Sequence, residues 1–247
     1  MQQLLSHMRR AVEDYDMIQA GDKIAVGLSG GKDSLAVLMA AHALKRFYPK
    51  PFELEAITLD LGMGNMDFKP LEDLCQSLDI PFTLEKTQIK EVVFDIRQEK
   101  NPCALCANLR RGALNSVAKE RGISKIMLGH HFDDVVETFL LSLLFEGRVS
   151  CFTPVTYLDR MGVTLLRPFI YIEEKNIKAY VKKAELPIVK NTCPADGNTK
   201  REYVKNLLRQ LDKEHPDARQ RLFTAMCNSA EGWEPPKKHP RRKNDEN

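Results

Sequence analysis

Short apolar runs alternate along the chain with longer segments that have helical periodicity. Four runs have the length and composition of buried strands: 23–28 (KIAVGL), 53–60 (ELEAITLD), 81–87 (PFTLEKT) and 125–129 (KIMLG). Amphipathic or apolar helices are predicted at 33–47, 67–78, 105–121, 133–145, 173–184 and 199–212. Because strands and helices alternate, the chain is predicted to be an α/β protein with a parallel twisted sheet and helices on both faces. Residues 151–170 break the alternation and are predicted to form a hairpin.

The chain of 247 residues is long enough for one large α/β domain with appendages. We expect a main domain at 21–212, an N-terminal helical extension at 1–20, and a C-terminal helix with a basic, disordered tail at 213–247. The N-terminal helix and the tail are expected to stand outside the core. The basic stretch 237–243 (KKHPRRK) indicates either a solubilising end or a contact to a phosphate backbone, since the net charge of +3 favours neither.

The sequence contains no run of 18 apolar residues, so no transmembrane helix is predicted. The N-terminal segment has acidic residues among its apolar positions and lacks the cleavage pattern of a signal peptide. A cytoplasmic location and no membrane partner are therefore expected.

A glycine-rich loop between the first strand and the first core helix is the strongest chemical signal. Backbone N–H groups and the positive end of a helix dipole meet at such a loop, and glycine lets an anion approach closely. A tight turn without a ligand is the alternative, but a lysine and two flanking serines favour phosphate binding. The loop residues are Ser29, Gly30, Gly31, Lys32, Asp33 and Ser34.

The motif SGGKDS resembles the PP-loop of the ATP-pyrophosphatase superfamily. The resemblance implies a Rossmann-like fold of the adenine nucleotide α-hydrolase type, with ATP and Mg²⁺ bound at the loop. It also implies cleavage between the α and β phosphates, adenylation of a substrate oxygen, and a catalytic contribution from Lys32.

Residues 129–138 (GHHFDDVVET) resemble the second signature of this superfamily. The resemblance implies that Gly129 and His130 line the ATP site and that Asp133 or Asp134 binds magnesium or acts as a base. The alternative is that these acids only stabilise a helix N-terminus.

Two further positions are candidate nucleotide contacts. Arg167, in LLRPF, resembles a recurrent segment of the superfamily and is predicted to bind phosphate or to form a structural ion pair. Asp60 ends the second strand, where adenosine usually lies in such sites, and a simple strand-end cap is its alternative role.

Six cysteines in a reducing compartment do not predict a disulfide framework. Residues 102–114 (PCALCANLRRGAL) resemble the C-x-x-C segment of the tRNA 2-thiocytidine synthase family. That resemblance implies that Cys103, Cys106 and the distant Cys193 hold a 4Fe-4S cluster with one iron free of protein. The spacing alone leaves a zinc site or a redox pair open. Cys75 and Cys227 are expected in the core, and Cys151 is ambiguous.

The resemblance implies an ATP-dependent tRNA sulfurtransferase that adenylates the C2 oxygen of a cytidine and replaces it with sulfur. Its partners would be tRNA, a sulfur donor (a cysteine desulfurase or sulfide) and, in a homodimer, a second copy. The cations of 199–212 would then contact RNA phosphates. The alternatives are a lysidine-synthase-like ligase, a small-molecule thiolase with a structural zinc, and a binding module without turnover.

Overall fold

The computed structural model describes residues 1–64, 66–98, 102–189, 193 and 200–234. Its strands are β1 (Asp22–Gly27), β2 (Phe52–Asp60), β3 (Phe82–Lys86), β4 (Lys125–Met127), β5 (Val155–Leu158) and β6 (Val163–Leu166). Its α-helices are α1 (Gln2–Asp14), α2 (Lys32–Lys45), α3 (Lys69–Ser77), α4 (Pro102–Glu120), α5 (Phe132–Glu146), α6 (Glu174–Lys183), α7 (Lys200–Glu214) and α8 (Ala218–Ser229). A π-helical turn, Glu91–Ile96, precedes α4 and was not predicted.

The strands form one six-stranded sheet in the order β3-β2-β1-β4-β6-β5. All pairs are parallel except the β5–β6 hairpin, which is antiparallel and lies at one edge. The predicted α/β class, the four strands and the hairpin at 151–170 are therefore confirmed. The boundaries of the four strands and of the six predicted core helices differ from the predicted ones by at most three residues.

Side chains of the central strand point alternately to two hydrophobic clusters, as the period of two requires. Ile24 and Val26 of β1 belong to the larger cluster, which also contains residues of α1, α2 and α5. Ala25 lies between them and faces the smaller cluster, where Val117 and Ala118 of α4 pack. Helices thus cover both faces of the sheet.

The N-terminal helix is part of the core, contrary to the expectation that it stands outside. Leu4, Met8, Ala11 and Val12 are almost completely buried in the larger cluster. Its amphipathic spacing indicated one buried face, but the sequence did not reveal which surface that face meets.

The division into segments 1–20, 21–212 and 213–247 stays a prediction, and the basic stretch 237–243 lies outside the described residues.

The chain after α8 is anchored by its only tryptophan. The Trp233 side chain is fully buried, and its Nε1 donates a hydrogen bond to the Phe152 carbonyl at 3.1 Å. The Tyr15 hydroxyl donates to the Trp233 carbonyl at 2.8 Å, and the Phe223 ring packs edge-on with centroids 5.6 Å apart. This contact joins both ends of the described chain to the core.

None of the described helices is long and apolar enough to span a membrane.

We predict that Trp233→Ala lowers the free energy of unfolding by about 3–5 kcal/mol, because it leaves a cavity and an unpaired carbonyl. Urea unfolding followed by circular dichroism measures this change. Trp233→Phe keeps a ring in the cavity and should lose clearly less. An equal, small effect of both substitutions would show that the segment does not contribute to the stability of the core.

Candidate active site

The two motif loops lie side by side because β1 pairs in parallel with both β2 and β4. The strand order changes direction between β1 and β4: after β1 the chain adds β2 and β3 on one side, and after β4 it adds β6 and β5 on the other. Crevices for ligands form at such a switch point, at the carboxyl ends of the strands. Asp60 ends β2 at the same edge, and its carboxylate accepts a hydrogen bond from the Gly62 N–H at 2.9 Å. This contact fits the strand-end cap, and a nucleotide contact for Asp60 stays a prediction.

Hydrogen bonds of Ser29 and Ser34 fix the conformation of the glycine-rich loop. The Ser34 hydroxyl donates to the Gly31 carbonyl at 2.9 Å and lies 3.1 Å from the Ser29 hydroxyl. Gly30 has φ +79°, which side chains rarely adopt, and an added Cβ would lie 2.8 Å from the Cβ of Val189. The loop therefore requires glycine at this position for both conformation and space.

Lys32 is bound by two carboxylates. Its Nζ lies 2.8 Å from Asp33 Oδ2 and 3.0 Å from Glu174 Oε1. Burial acts to lower the pKa of Lys32, but the hydrogen bonds with Asp33 and Glu174 outweigh it and raise that pKa. Burial acts to raise the pKa of Glu174, whereas Lys178 and Lys32 bring it down to about 2. Lys32 is thus a fixed cation at the helix N-terminus. Glu174 was not predicted, because no local pattern connects α6 with this loop.

Gly129 brings the second motif into contact with the loop. A Cβ at Gly129 would lie 3.0 Å from the backbone carbon of Asp33 and 3.1 Å from the Ser34 nitrogen. His131 caps α5, and its backbone N–H donates to Asp134 Oδ2 at 3.1 Å. The His131 side chain is buried, with Nε2 3.7 Å from Asp33 Oδ1 and 3.4 Å from Asp134 Oδ2. The two motifs therefore share one wall.

The two aspartates of the second motif have different surroundings. Asp133 Oδ2 accepts the Glu174 backbone N–H at 2.7 Å, and Asp133 Oδ1 binds Arg219 Nη1 at 2.9 Å. Each oxygen of Asp133 therefore already has a short hydrogen bond. Among the described residues, Asp134 has a single loose ion pair, with Arg201 at 3.6 Å, besides its contacts with His131. Asp134 is the more available of the two for a magnesium ion.

Arg167 carries a buried charge that lacks a carboxylate partner within the described ranges. Its Nη1 donates to the Thr153 carbonyl at 2.6 Å and to the Thr156 hydroxyl at 2.8 Å. Burial lowers the pKa of Arg167 to about 10, and that of neighbouring His130 to about 4, so Arg167 is charged and His130 neutral at pH 7. A structural ion pair for Arg167 is not observed, which favours an anionic ligand.

The thiols of the three predicted cluster ligands are neighbours. Cys103 and Cys106 lie on the first turns of α4, where residues three apart share a face. Burial raises the pKa of Cys106; Arg110 lowers it, and nearby Cys193 and Cys103 raise it further. No three His, Cys, Asp or Glu side chains of the described residues are close enough to form a closed metal site. The electrostatic contact therefore shows proximity without a finished ligand shell.

The other cysteines lie apart from this group. Cys75 is fully buried and Cys227 packs against the core, as predicted. Cys151 is half-buried, its thiol donates to the Val135 carbonyl at 3.6 Å, and burial raises its pKa to about 12. The burial of these three cysteines and their packing against the core indicate a structural role for each.

The fold and the two motifs define a nucleotide-binding protein of the PP-loop class. A family model described as "PP-loop domain" matches residues 2–214, so the chain belongs to that family. It is 38% identical to the tRNA-cytidine(32) 2-sulfurtransferase of Marinobacter nauticus over 221 residues, 89% of this chain and 73% of that protein. It is 37% identical to the protein of the same name from Pelobacter propionicus, over 89% of this chain and 82% of that one. The chain therefore belongs to the tRNA 2-thiocytidine synthase family, and the predicted relationship is confirmed.

A solved structure has the same fold. The U34-tRNA thiolase NcsA from Methanococcus maripaludis, determined with its [4Fe-4S] cluster, superposes with a TM-score of 0.76. The match covers 91% of this chain and 77% of that chain, at 24% sequence identity. At this identity the similarity establishes the architecture and leaves the roles of individual side chains as predictions.

We predict that Gly129→Ala weakens ATP binding by about tenfold, equivalent to about 1.4 kcal/mol, because the new methyl group displaces the loop backbone. Isothermal titration with a non-hydrolysable ATP analogue measures this change. Gly112→Ala is the matched control, since a Cβ there meets nothing within 4 Å and favours helix α4. Equal affinities of the two variants would contradict the contact between the motifs.

Proposed function

We propose that the protein is an ATP-dependent tRNA sulfurtransferase that converts a cytidine to 2-thiocytidine in the cytoplasm. The proposal is supported by the combination of an ATP-type loop with the C-x-x-C turn of α4, Cys103 and Cys106, and with Cys193, which lies within electrostatic range of Cys106. An adenylating ligase of the lysidine-synthase type needs the loop and has no use for the thiols. The names of the relatives support the same substrate class.

In the first step, the loop binds the β and γ phosphates of ATP and Lys32 stabilises their charge. Asp134 and Asp33 would hold the magnesium ion, which would neutralise phosphate charge; Asp33 Oδ1 is buried without a hydrogen-bond partner among the described residues. The C2 oxygen of cytidine attacks the α-phosphorus, the bond to the β-phosphate breaks, and pyrophosphate leaves. Arg167 stabilises the α-phosphate, consistent with its buried and unpaired charge.

In the second step, a sulfur nucleophile adds at C2 and the C2–oxygen bond breaks, so that AMP leaves with the original oxygen. Cys103, Cys106 and Cys193 would hold a 4Fe-4S cluster, and their soft thiolate donors fit that group. When bound, the cluster supplies the sulfur that replaces the oxygen. The sulfur would arrive as free sulfide, or from a cysteine desulfurase whose persulfide sulfur a thiol reductant lowers to the sulfide level with two electrons. A homodimer is the proposed working form. The charge of Arg111 on α4 helps to lower the pKa of Arg167, so these two cations lie within electrostatic range of one another.

We predict that Cys193→Ser removes iron and acid-labile sulfide and abolishes 2-thiocytidine formation, while ATP binding stays near normal. Anaerobic purification, metal analysis and mass spectrometry of digested tRNA measure these properties. Cys227→Ser is the control, because Cys227 is also half-buried but packs against the core.

Two outcomes would contradict this division of roles. One zinc per wild-type chain with no sulfide would exclude the cluster and favour the ligase with a structural metal. Loss of ATP affinity in Cys193→Ser would show that the cysteine segment belongs to the nucleotide site itself.

A further inference from the structure

Two exposed aromatic side chains lie together where the end of α5 meets the start of α7. The side chains of Phe145 and Tyr203 are 41% and 59% exposed, and their rings contact edge-on with centroids 6.1 Å apart. Lys200 Nζ lies 4.8 Å from the centre of the Phe145 ring. We call Phe145, Lys200, Arg201 and Tyr203 the aromatic patch. Exposed rings of this kind in contact with a cation often mark a binding surface.

The aromatic patch adjoins the candidate active site. Arg201 Nη1 lies 3.2 Å from Glu137 Oε2 and 3.6 Å from Asp134 Oδ1, both in the second motif. Cys193 precedes the patch by only a few residues in the chain, and its thiol neighbours Cys106.

The charge of the patch selects the kind of partner. Between residues 200 and 209, helix α7 carries four basic residues and a single acidic one: Lys200, Arg201, Lys205, Arg209 and Glu202. Arg209 is paired with Glu202 and Arg201 with Glu137 of α5, and no carboxylate within 4 Å of Lys200 or Lys205 is seen among the described residues. A second copy bound through the same surface about a two-fold axis would oppose these cations to each other. A nucleic acid would meet them with phosphates, and unpaired bases would stack on the rings.

We propose that the aromatic patch is the platform on which the unpaired loop nucleotides beside the target cytidine stack. This inference rests on the proposed tRNA substrate and extends it by naming the surface that receives the loop. Tyr203 supplies the more exposed ring, Phe145 supports it from α5, and Lys200 and Arg201 hold the flanking phosphates. The stacking is independent of base identity, because every base presents a π-face.

The test is the affinity of the full-length protein for unmodified substrate tRNA, measured without ATP. Tyr203→Ala should raise the Kd for tRNA about tenfold, within the range found for loss of one base–aromatic stack. Tyr203→Phe, which keeps the ring, should bind as the wild type does. Tyr157→Ala is the matched control, because Tyr157 is also 59% exposed but lies on the edge strand β5. In thiolation assays, Tyr203→Ala should raise the KM for tRNA, whereas Tyr157→Ala should leave it at the wild-type value.

Several outcomes would overturn the inference. Equal tRNA affinities of Tyr203→Ala and Tyr157→Ala would show that Tyr203 does not stack on the tRNA. If the wild-type protein still thiolated tRNA in that case, the proposed function would stand. A fall in molecular mass of Tyr203→Ala in sedimentation, with tRNA affinity intact, would assign the patch to a second copy. If the wild type bound no tRNA at all, the proposed function itself would fail and the inference with it.

Discussion

The close approach of the Gly129 backbone to Asp33 and Ser34 is the constraint on which the site depends. It exists because β1 and β4 are parallel neighbours, so that the loops after them leave the sheet at the same edge. An ideal Cβ at Gly129 would lie 3.0–3.1 Å from loop atoms, so a side chain there would have to displace the loop backbone. The phosphate loop and the acidic helix start therefore form a single wall.

The charged residues of this wall are of two kinds. Some are fully paired with one another and hold the wall together, and others keep capacity to bind a ligand. Glu174 ties Lys32 to the second motif, since its carboxylate binds the lysine and its backbone N–H binds Asp133. Arg219, itself held by both carboxylate oxygens of Asp212, takes the other oxygen of Asp133. Asp133 thus connects α5 to α6 and α8 through its two hydrogen bonds. Asp134 and Asp33 keep free coordination capacity facing His131, which suits a metal ion carried in with a nucleotide.

Sequence alone was sufficient for the parts of the protein that are encoded locally. The short apolar run at 23–28 predicted the buried strand β1, and SGGKDS predicted the loop that follows it, because strand, turn and helix signals all lie within a few residues. The same holds for the Cys103–Cys106 turn of α4. The proximity of Cys193 to that turn followed only from family resemblance, since spacing carries no information across so long a separation.

The unpredicted features depend on contacts between distant segments. Glu174 and Arg219 are ordinary charged residues in helices, and Arg219 reaches Asp133 from 86 residues away along the chain. The choice between Asp133 and Asp134 was therefore open until their partners were seen. The burial of α1 against the core has the same origin, because an amphipathic pattern identifies a buried face without its counterpart.

The central claim is that ATP activates the C2 oxygen of cytidine before sulfur replaces it. The most direct measurement uses substrate tRNA labelled with ¹⁸O at C2 of the target cytidine and mass analysis of the AMP released in one turnover. The account predicts that the label appears in AMP, because the oxygen becomes bonded to the α-phosphorus. Unlabelled AMP, with ¹⁸O recovered in water or pyrophosphate, would contradict it.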